Sequence, residues 1–139
     1  MECKVRWAGE GVSFEAHTAS GHTLIMDGAP EAGGSNLGPR PMELLLAGTG
    51  GCTAFDVVLI LRKGRHDVTG CEVSLDATRA ESDPKVFTRI HFHFTVTGRN
   101  LRQDVVKRAI ELSKEKYCSA SIMLAKTAEI TYDLEIVEA

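Results

Sequence analysis

Apolar and polar residues alternate along three short stretches in the first third of the chain. A period of two is that of a β-strand with one covered face. Turns that contain glycine separate the stretches, and Asp27-Gly28 ends the third. The pattern predicts three short strands, over about 3–7, 12–16 and 22–26.

A loop and then a long apolar helix are predicted next. Residues 29–39 are rich in glycine, proline, alanine and asparagine, and such long loops tend to be functional or mobile. Pro41 suits the first position of a helix, and the residues from there to about Lys63 are apolar nearly all round. A helix without a polar face is buried, either centrally or against a partner chain. The glycines within Gly48–Gly51 predict a bend, or a close approach of another backbone.

Two long alternating stretches follow, over 71–78 and 89–96, and Asp83-Pro84 marks a turn between them. Their alternation predicts antiparallel strands with one covered face. A stripe of apolar residues over 101–112 predicts an amphipathic helix. Asn100 is the expected cap at its start.

A helical turn near 122–124 and a last strand over 130–136 complete the predicted order. Strands, a buried helix, two strands, an amphipathic helix and a strand indicate the α+β class. The length of 139 residues suits a single domain, 1–139.

Composition and charge exclude several classes of protein. The chain is 43% hydrophobic and 25% charged, with a net charge of −3, which is ordinary for a soluble globular protein. Its charge gives no reason to expect nucleic-acid binding. We expect no transmembrane helix and no signal peptide, because neither a run of about 18 apolar residues nor an apolar leader is evident. We therefore expect a cytoplasmic protein that does not bind membranes.

The four cysteines, Cys3, Cys52, Cys71 and Cys118, are scattered along the chain and form no CxxC pair. This arrangement indicates neither a disulfide framework nor a zinc ribbon. For each cysteine alone, the commoner role is that of a small buried apolar residue. That interpretation suits Cys3 and Cys71, which lie in register with the apolar faces of predicted strands.

Two segments carry a resemblance to a known family. Residues 38–52 read GPRPMELLLAGTGGC and residues 115–119 read EKYCS. They resemble the first and second cysteine motifs of the osmotically inducible protein C / organic hydroperoxide resistance (OsmC/Ohr) family, and are nearest to its less characterised OsmC-like branch. The order of strands and helices and the spacing of the two cysteines agree with that family.

The resemblance implies an intertwined homodimer, in which antiparallel sheets wrap around buried central helices and the active site lies at the subunit interface. It implies a thiol-dependent peroxidase that reduces small hydrophobic hydroperoxides. Cys52 would attack the peroxide, Cys118 would resolve the product as a disulfide, and a thiol reductant would restore the enzyme. Arg40 and Glu43 are the candidates to position the substrate. No cofactor and no metal are expected.

The first motif departs from that of the family's peroxidases. Those proteins have a glutamate directly after the proline, where this chain has Met42, and the acidic residue here is Glu43. Nine residues at about 100° each place Glu43 and Cys52 on opposite sides of a continuous helix. The peroxidases also use an arginine from their amino-terminal strands, and Arg40 is the nearest candidate here.

Asp56 lies four residues after Cys52, on the same helical face. A neighbouring carboxylate disfavours a thiolate. A carboxylate within an apolar helix needs a partner, and Arg40, Arg62 or a group of the other subunit is expected to supply it. A purely structural role for Asp56 is the alternative.

Two further functions stay open on the same fold. One is a non-catalytic protein that binds a hydrophobic ligand in a pocket beside Cys52, where Gly50 and Gly51 leave space. The other is a redox sensor that switches through a disulfide. His91 and His93 point to one face of a strand, a spacing that suits a metal, but the sequence indicates no third ligand and favours an ordinary polar sheet face.

Overall fold

A computed structural model describes residues 1–139, which divide into two compact units, 1–47 and 48–139. Two three-stranded sheets and several helices confirm the predicted α+β class. The boundary between the units falls within the long helix α1, Pro41–Lys63. Each unit is described by itself.

The amino-terminal unit contains an antiparallel sheet of three consecutive strands. These are β1 (Cys3–Trp7), β2 (Phe14–Thr18) and β3 (Thr23–Met26). The predicted strands are therefore confirmed within about two residues. Ala16 is buried, but most of the large apolar residues of this sheet are exposed, namely Val5, Trp7, Phe14 and Ile25.

The loop after β3 is held by one buried carboxylate, that of Asp27, which is 2% exposed. It accepts backbone N–H bonds from Gly28 (2.8 Å), Ser35 (3.0 Å) and Leu37 (3.1 Å). The bonds from Leu37 and Ser35 are the main reason why the pKa of Asp27 lies below its usual range. The segment predicted as a plain loop is thus ordered, and Pro30–Ala32 forms a single 3₁₀ turn within it.

Helix α1 has the predicted start and end, but it runs without interruption through Gly48–Gly51. The glycines therefore do not interrupt the helix. The other prediction for these glycines, a close approach of a neighbouring group, holds at Gly50. A Cβ atom there would lie 2.7 Å from Leu75 Cδ1. A side chain of the sheet, rather than another backbone, makes the close approach.

The apolar character of α1 is stronger than we expected from the sequence. An 18-residue window has a mean hydropathy of 1.9, and 28% of that window is buried. By length and composition alone the helix could cross a membrane, and the core helix of a soluble protein passes the same test. The expectation that the chain has no apolar run of this length was therefore wrong. The predicted burial of the helix is met only in part within the single chain, because most of the window is exposed.

The carboxyl-terminal unit contains the second sheet, with strand order β4-β5-β6. Its strands are β4 (Asp67–Arg79), β5 (Phe87–Arg99) and β6 (Glu129–Glu138). β4 and β5 are antiparallel, as predicted, whereas β6 pairs with β5 in parallel. One face of β5 carries a row of buried apolar residues: Phe87, Ile90, Phe92, Phe94 and Val96.

Helices supply the rest of this core. Buried apolar side chains come from α1 (Val57 and Leu61) and from α2, Gln103–Leu112 (Val106, Ala109 and Ile110). A π-helical turn, Ser113–Tyr117, joins α2 to α3, Ser119–Leu124. The predicted helical turn at 122–124 is the second half of α3.

Asn100 does not cap α2, in contrast to the prediction. The capping position belongs to Arg102, whose side chain makes no capping bond. Asn100 adopts a left-handed conformation (φ 54°), and its backbone N–H donates to the Glu138 carboxylate at 3.0 and 3.1 Å. The residue therefore ends β5 rather than beginning the helix.

The other face of β5 is polar and hydrogen-bonded. Asp133 Oδ1 lies 3.2 Å from His91 Nε2 and 2.6 Å from His93 Nδ1. Thr131 Oγ1 lies 2.7 Å from His91 Nδ1, and Glu135 lies 3.8 Å from His93 Nε2. The polar sheet face is as expected. The sequence did not reveal that β6 places the Asp133 carboxylate between the two histidines.

Candidate functional site

Cys52 lies in the middle of α1, nine residues before Leu61, which is the last hydrophobic residue of that helix. Cys52 is half-buried, and the neighbouring Thr53 is buried. Asp56 follows one turn later and is also half-buried. The helical repeat therefore presents a thiol and a carboxyl group side by side.

Cys118 lies where the π-helical turn ends and α3 begins. It is fully buried. Its backbone N–H donates to the Ser113 carbonyl at 2.7 Å, and its Sγ accepts the backbone N–H of Ser121 at 3.3 Å. The Ser121 hydroxyl donates to the Cys118 carbonyl at 3.2 Å. These bonds fix the cysteine as the cap of α3, and π-helical turns are frequent at functional sites.

The structure brings Cys52 and Cys118 together. The two sulfur atoms and a carboxylate oxygen of Asp56 all lie within 4.8 Å of one another. A disulfide requires a sulfur–sulfur distance of about 2.0 Å, so a modest movement would join the two cysteines. Their meeting was expected from the family resemblance, and their catalytic roles stay predictions.

The hydrogen-bond partner of Asp56 within this chain is a hydroxyl group, and neither Arg40 nor Arg62, which were two of the three expected partners. The Ser113 hydroxyl donates to Asp56 Oδ2 at 2.9 Å and lies 2.9 Å from Thr53 Oγ1. Ser113 is fully buried. Two consecutive turns of α1 are thereby connected to the π-helical turn that leads to Cys118.

Ser113 and Thr53 were missed by the sequence analysis. Ser113 continues the apolar stripe of α2, because it lies three residues after Ile110 and four after Ala109. A serine in such a position indicates a buried hydroxyl that needs a partner. That signal was present in the sequence, although it could not name the partner.

The environments of the two thiols differ. Burial is the main reason why the pKa of the Cys118 thiol is raised, and the adjacent Cys52 adds to the rise. The hydrogen bonds with Ser121 act in the opposite direction. Cys118 therefore favours the protonated thiol and is closed to solvent, whereas Cys52 is partly accessible.

Arg40 and Glu43 contact each other in the amino-terminal unit. The Arg40 backbone N–H donates to Glu43 Oε1 at 2.8 Å. This is the reaching-back half of a capping box at the start of α1. The Arg40 guanidinium donates to Asn36 Oδ1 (3.1 Å) and to the Gly38 carbonyl (3.2 Å). Both residues thus have structural partners, and their role in positioning substrate stays a prediction.

The remaining cysteines lie apart from this chemistry. Cys3 is exposed on β1, in contrast to the expected apolar environment. Cys71 is half-buried on β4, and burial raises the pKa of its thiol. Cys71 lines a cleft together with Phe55 and Leu59, and neither Cys52 nor Cys118 lines that cleft. Leu75 occupies the space expected beside Gly50, whereas a Cβ atom at Gly51 would have no neighbour within 4 Å.

Comparisons with known proteins agree with the sequence motifs. The family model described as OsmC-like protein matches residues 33–133. Protein YhfA of Escherichia coli (strain K12) is 48% identical over 139 residues, which is 100% of both chains.

Solved structures agree over nearly the whole chain. A hypothetical protein from Aquifex aeolicus VF5 is 28% identical, with a TM-score of 0.85 over 99% of this chain and 96% of that one. The organic hydroperoxide resistance protein OsmC from Legionella pneumophila shares the fold, with a TM-score of 0.71 at 15% identity over 96% and 95% of the two chains. The family match and the full-length similarity to YhfA show that this chain belongs to the OsmC-like protein family.

Proposed function

We propose that the protein is a thiol-dependent peroxidase that reduces organic hydroperoxides. The observation that carries the proposal is the approach of Cys52 Sγ to Cys118 Sγ within 4.8 Å. The two thiols also differ in the way such an enzyme requires, since Cys52 is partly accessible and Cys118 is buried. A fold shared with organic hydroperoxide resistance proteins supports the same conclusion.

In the first step, the Cys52 thiolate attacks the terminal oxygen of the hydroperoxide. A sulfur–oxygen bond forms, the O–O bond breaks, and the alkoxide takes up a proton to leave as an alcohol. Cys52 is thereby oxidised by two electrons to a sulfenic acid. The attacking species must be Cys52, because a buried thiol such as Cys118 is closed to the substrate.

In the second step, Cys118 Sγ attacks the oxidised sulfur of Cys52. The disulfide bond forms, the sulfur–oxygen bond breaks, and the hydroxyl group leaves with the Cys118 proton as water. An external dithiol then reduces the disulfide by exchange. The short separation of the two sulfurs means that the second step needs no large rearrangement.

A stopped-flow assay with cumene hydroperoxide and dihydrolipoamide tests this proposal. We expect turnover by the wild type, none by Cys52→Ser, and a single oxidation without disulfide formation by Cys118→Ser. Cys71→Ser is the matched control and keeps full activity. Turnover no faster than that of Cys52→Ser overturns the proposal. Dose-dependent disulfide formation without turnover also overturns it and favours the redox sensor.

Arg40 and Glu43 are included in this proposal as residues that position the substrate. Because α1 is continuous, Glu43 and Cys52 point to opposite sides of the helix, and the two residues would have to reach the Cys52 site of the other chain of a dimer. Replacing Arg40 by Ala should then raise KM for the hydroperoxide more than it lowers kcat. Unchanged kinetics, with a less stable start of α1 in Glu43→Ala, would leave both residues with only the structural bonds described above.

We also propose that the protein is a cytoplasmic homodimer. Three large apolar side chains of α1 are exposed on the single chain, namely Leu45, Phe55 and Leu59. Such a helix requires a cover, and a second copy of the chain would supply it. Light scattering after size exclusion should report a dimer, and Phe55→Asp should shift it toward the monomer. A monomeric wild type contradicts this part of the proposal.

A further inference from the structure

We propose that the reduced site binds one Zn²⁺ ion through Cys52, Asp56 and Cys118, and that metal binding and oxidation of the cysteines exclude each other. The inference concerns regulation of the proposed peroxidase site, and the metal site itself depends only on the geometry of the three side chains. Their sulfur and oxygen atoms all lie within 4.8 Å of one another.

The donor set suits a borderline-soft ion. Two thiolates and one carboxylate favour Zn²⁺ over Mg²⁺ or Ca²⁺, which take oxygen ligands. Zn–S bonds of about 2.3 Å and Zn–O bonds of about 2.0–2.2 Å place tetrahedral donors roughly 3.5–3.8 Å apart. Small side-chain rotations would bring the three atoms from their present separations to these distances.

Two hydrogen bonds already orient the ligands. The Ser113 hydroxyl donates to Asp56 Oδ2 at 2.9 Å and so restrains the carboxylate, of which Oδ1 would then bind the ion. The Ser121 N–H donates to Cys118 Sγ at 3.3 Å, and a bond to sulfur stabilises a thiolate ligand. At metal sites, hydrogen bonds of this kind hold the coordinating side chains in place.

A bound ion would give Asp56 the role of a metal ligand, whereas the reduction of a peroxide gives this carboxylate no role. A carboxylate beside Cys52 disfavours a free thiolate, whereas the same carboxylate adds a ligand when a cation is present. Three protein ligands leave a fourth position for water, and the partly accessible side of Cys52 provides a route of entry.

Protons and electrons balance in both directions. Binding of Zn²⁺ to the reduced site releases one proton from each thiol, without any change of oxidation state. Oxidation by a hydroperoxide removes two electrons and joins the sulfurs in a disulfide, which is no longer a pair of thiolate ligands. The ion therefore protects the reduced thiols, and their oxidation releases it.

Titration of the reduced, full-length protein with Co²⁺ tests the inference, because thiolate ligands give cobalt a charge-transfer band in the near ultraviolet. We expect one Co²⁺ per chain, displaced by Zn²⁺. Cys118→Ala should lose about half the charge-transfer intensity, because one of two thiolates is removed. Asp56→Asn should keep the band and weaken binding at least ~10-fold. Cys71→Ser and Cys3→Ser are controls and should not change the spectrum.

The oxidised wild type is a control that needs no substitution, and it should bind no Co²⁺. The absence of a thiolate band in the reduced wild type overturns the inference, as does a band that survives in Cys52→Ser combined with Cys118→Ala. A normal cobalt spectrum without peroxidase activity would leave this inference standing and remove the proposed function. Peroxidase activity without the cobalt spectrum would support the proposed function and overturn this inference.

Discussion

The two sheets of this protein have similar sequence patterns but different environments. In the carboxyl-terminal unit, the apolar face of β5 is buried, with Phe94 at 1% and Ile90 at 0% exposure. In the amino-terminal unit, Val5 and Trp7 alternate in the same way, yet each is 54% exposed. Alternation therefore predicts a strand and its apolar face, but not what covers that face.

The difference arises from the helices available to each sheet. Buried side chains of α1 and α2 contribute to the core of the carboxyl-terminal unit, whereas Ala16 is the buried apolar residue of the three amino-terminal strands. Exposed apolar surface of this kind marks an interaction site. The two sheets therefore differ in how far their apolar residues are buried within one chain, and not in the alternation of their sequences.

The largest expected effect comes from Phe94→Ala. Its ring lies 6.2 Å from the rings of Phe92 and Tyr132, and its removal leaves a cavity in the carboxyl-terminal core. The free energy of unfolding should fall by about 3–5 kcal/mol, measured by urea denaturation.

Val5→Ala is the matched change in the amino-terminal sheet. For an exposed residue the free energy of unfolding should change by less than ~0.5 kcal/mol. A larger loss that grows with protein concentration would show that a second chain covers Val5. An equally large loss at every concentration would contradict the contrast between the sheets.

Gly50 and Gly51 allow a covered and an open position to be compared within one helix, α1. Gly50→Ala introduces a Cβ atom at 2.7 Å from Leu75 Cδ1, the end of a flexible side chain that has to shift, so it should stabilise the protein less than Gly51→Ala or destabilise it slightly. A Cβ atom at Gly51 meets nothing within 4 Å, so Gly51→Ala should stabilise the helix by up to ~1 kcal/mol. Thermal unfolding compares the two variants. Destabilisation by Gly51→Ala would mean that a partner chain packs there.

Asp27 gives the amino-terminal unit a pH-dependent anchor. Since its pKa is lowered by backbone N–H bonds, its contribution to stability is present above about pH 4 and is lost as the pH falls through the folded pKa. In Asp27→Asn this acid-dependent loss should disappear and the 28–37 loop should exchange its amide hydrogens faster at pH 7. Equal exchange rates would contradict the anchoring role.

His93 and Asp133 provide a smaller, opposite test in the carboxyl-terminal unit. Hydrogen bonding to Asp133 raises the pKa of His93, and the same bond lowers the pKa of Asp133. The histidine's contribution is complete below about pH 6.5 and fades as the pH rises through its folded pKa, whereas that of Asp133 fades in acid. Both groups are exposed, so the effect is small and weakens with salt.

The measurement is stability against pH for His93→Gln. Relative to this variant, the wild type should be more stable at pH 5.5 than at pH 8.5. Asp76, Glu72, Glu135 and His91 also face this part of the sheet, so His17→Gln, in the amino-terminal sheet, is the matched control. Parallel pH curves for wild type and His93→Gln would contradict the assignment.

The sequence predicted the strands, the long apolar helix and the α+β class because these follow from local periodicity. The wrong predictions concern residues whose local structure depends on a contact with a residue far away in the chain. Asn100 is engaged by Glu138, and Gly50 accommodates Leu75 without a break in α1. Neither partner can be identified from the residues near it in the chain.

The candidate site divides in the same way. The motifs around Cys52 and Cys118 were sufficient to nominate both cysteines. The spacing of four residues between Cys52 and Asp56 predicted that these two lie side by side on a helix. Only the tertiary structure connected Ser113 to Asp56 and Thr53, and placed Asp133 between His91 and His93. Periodicity acts over a few residues, whereas these contacts join residues about 40 to 60 positions apart, and only the folded chain brings them together.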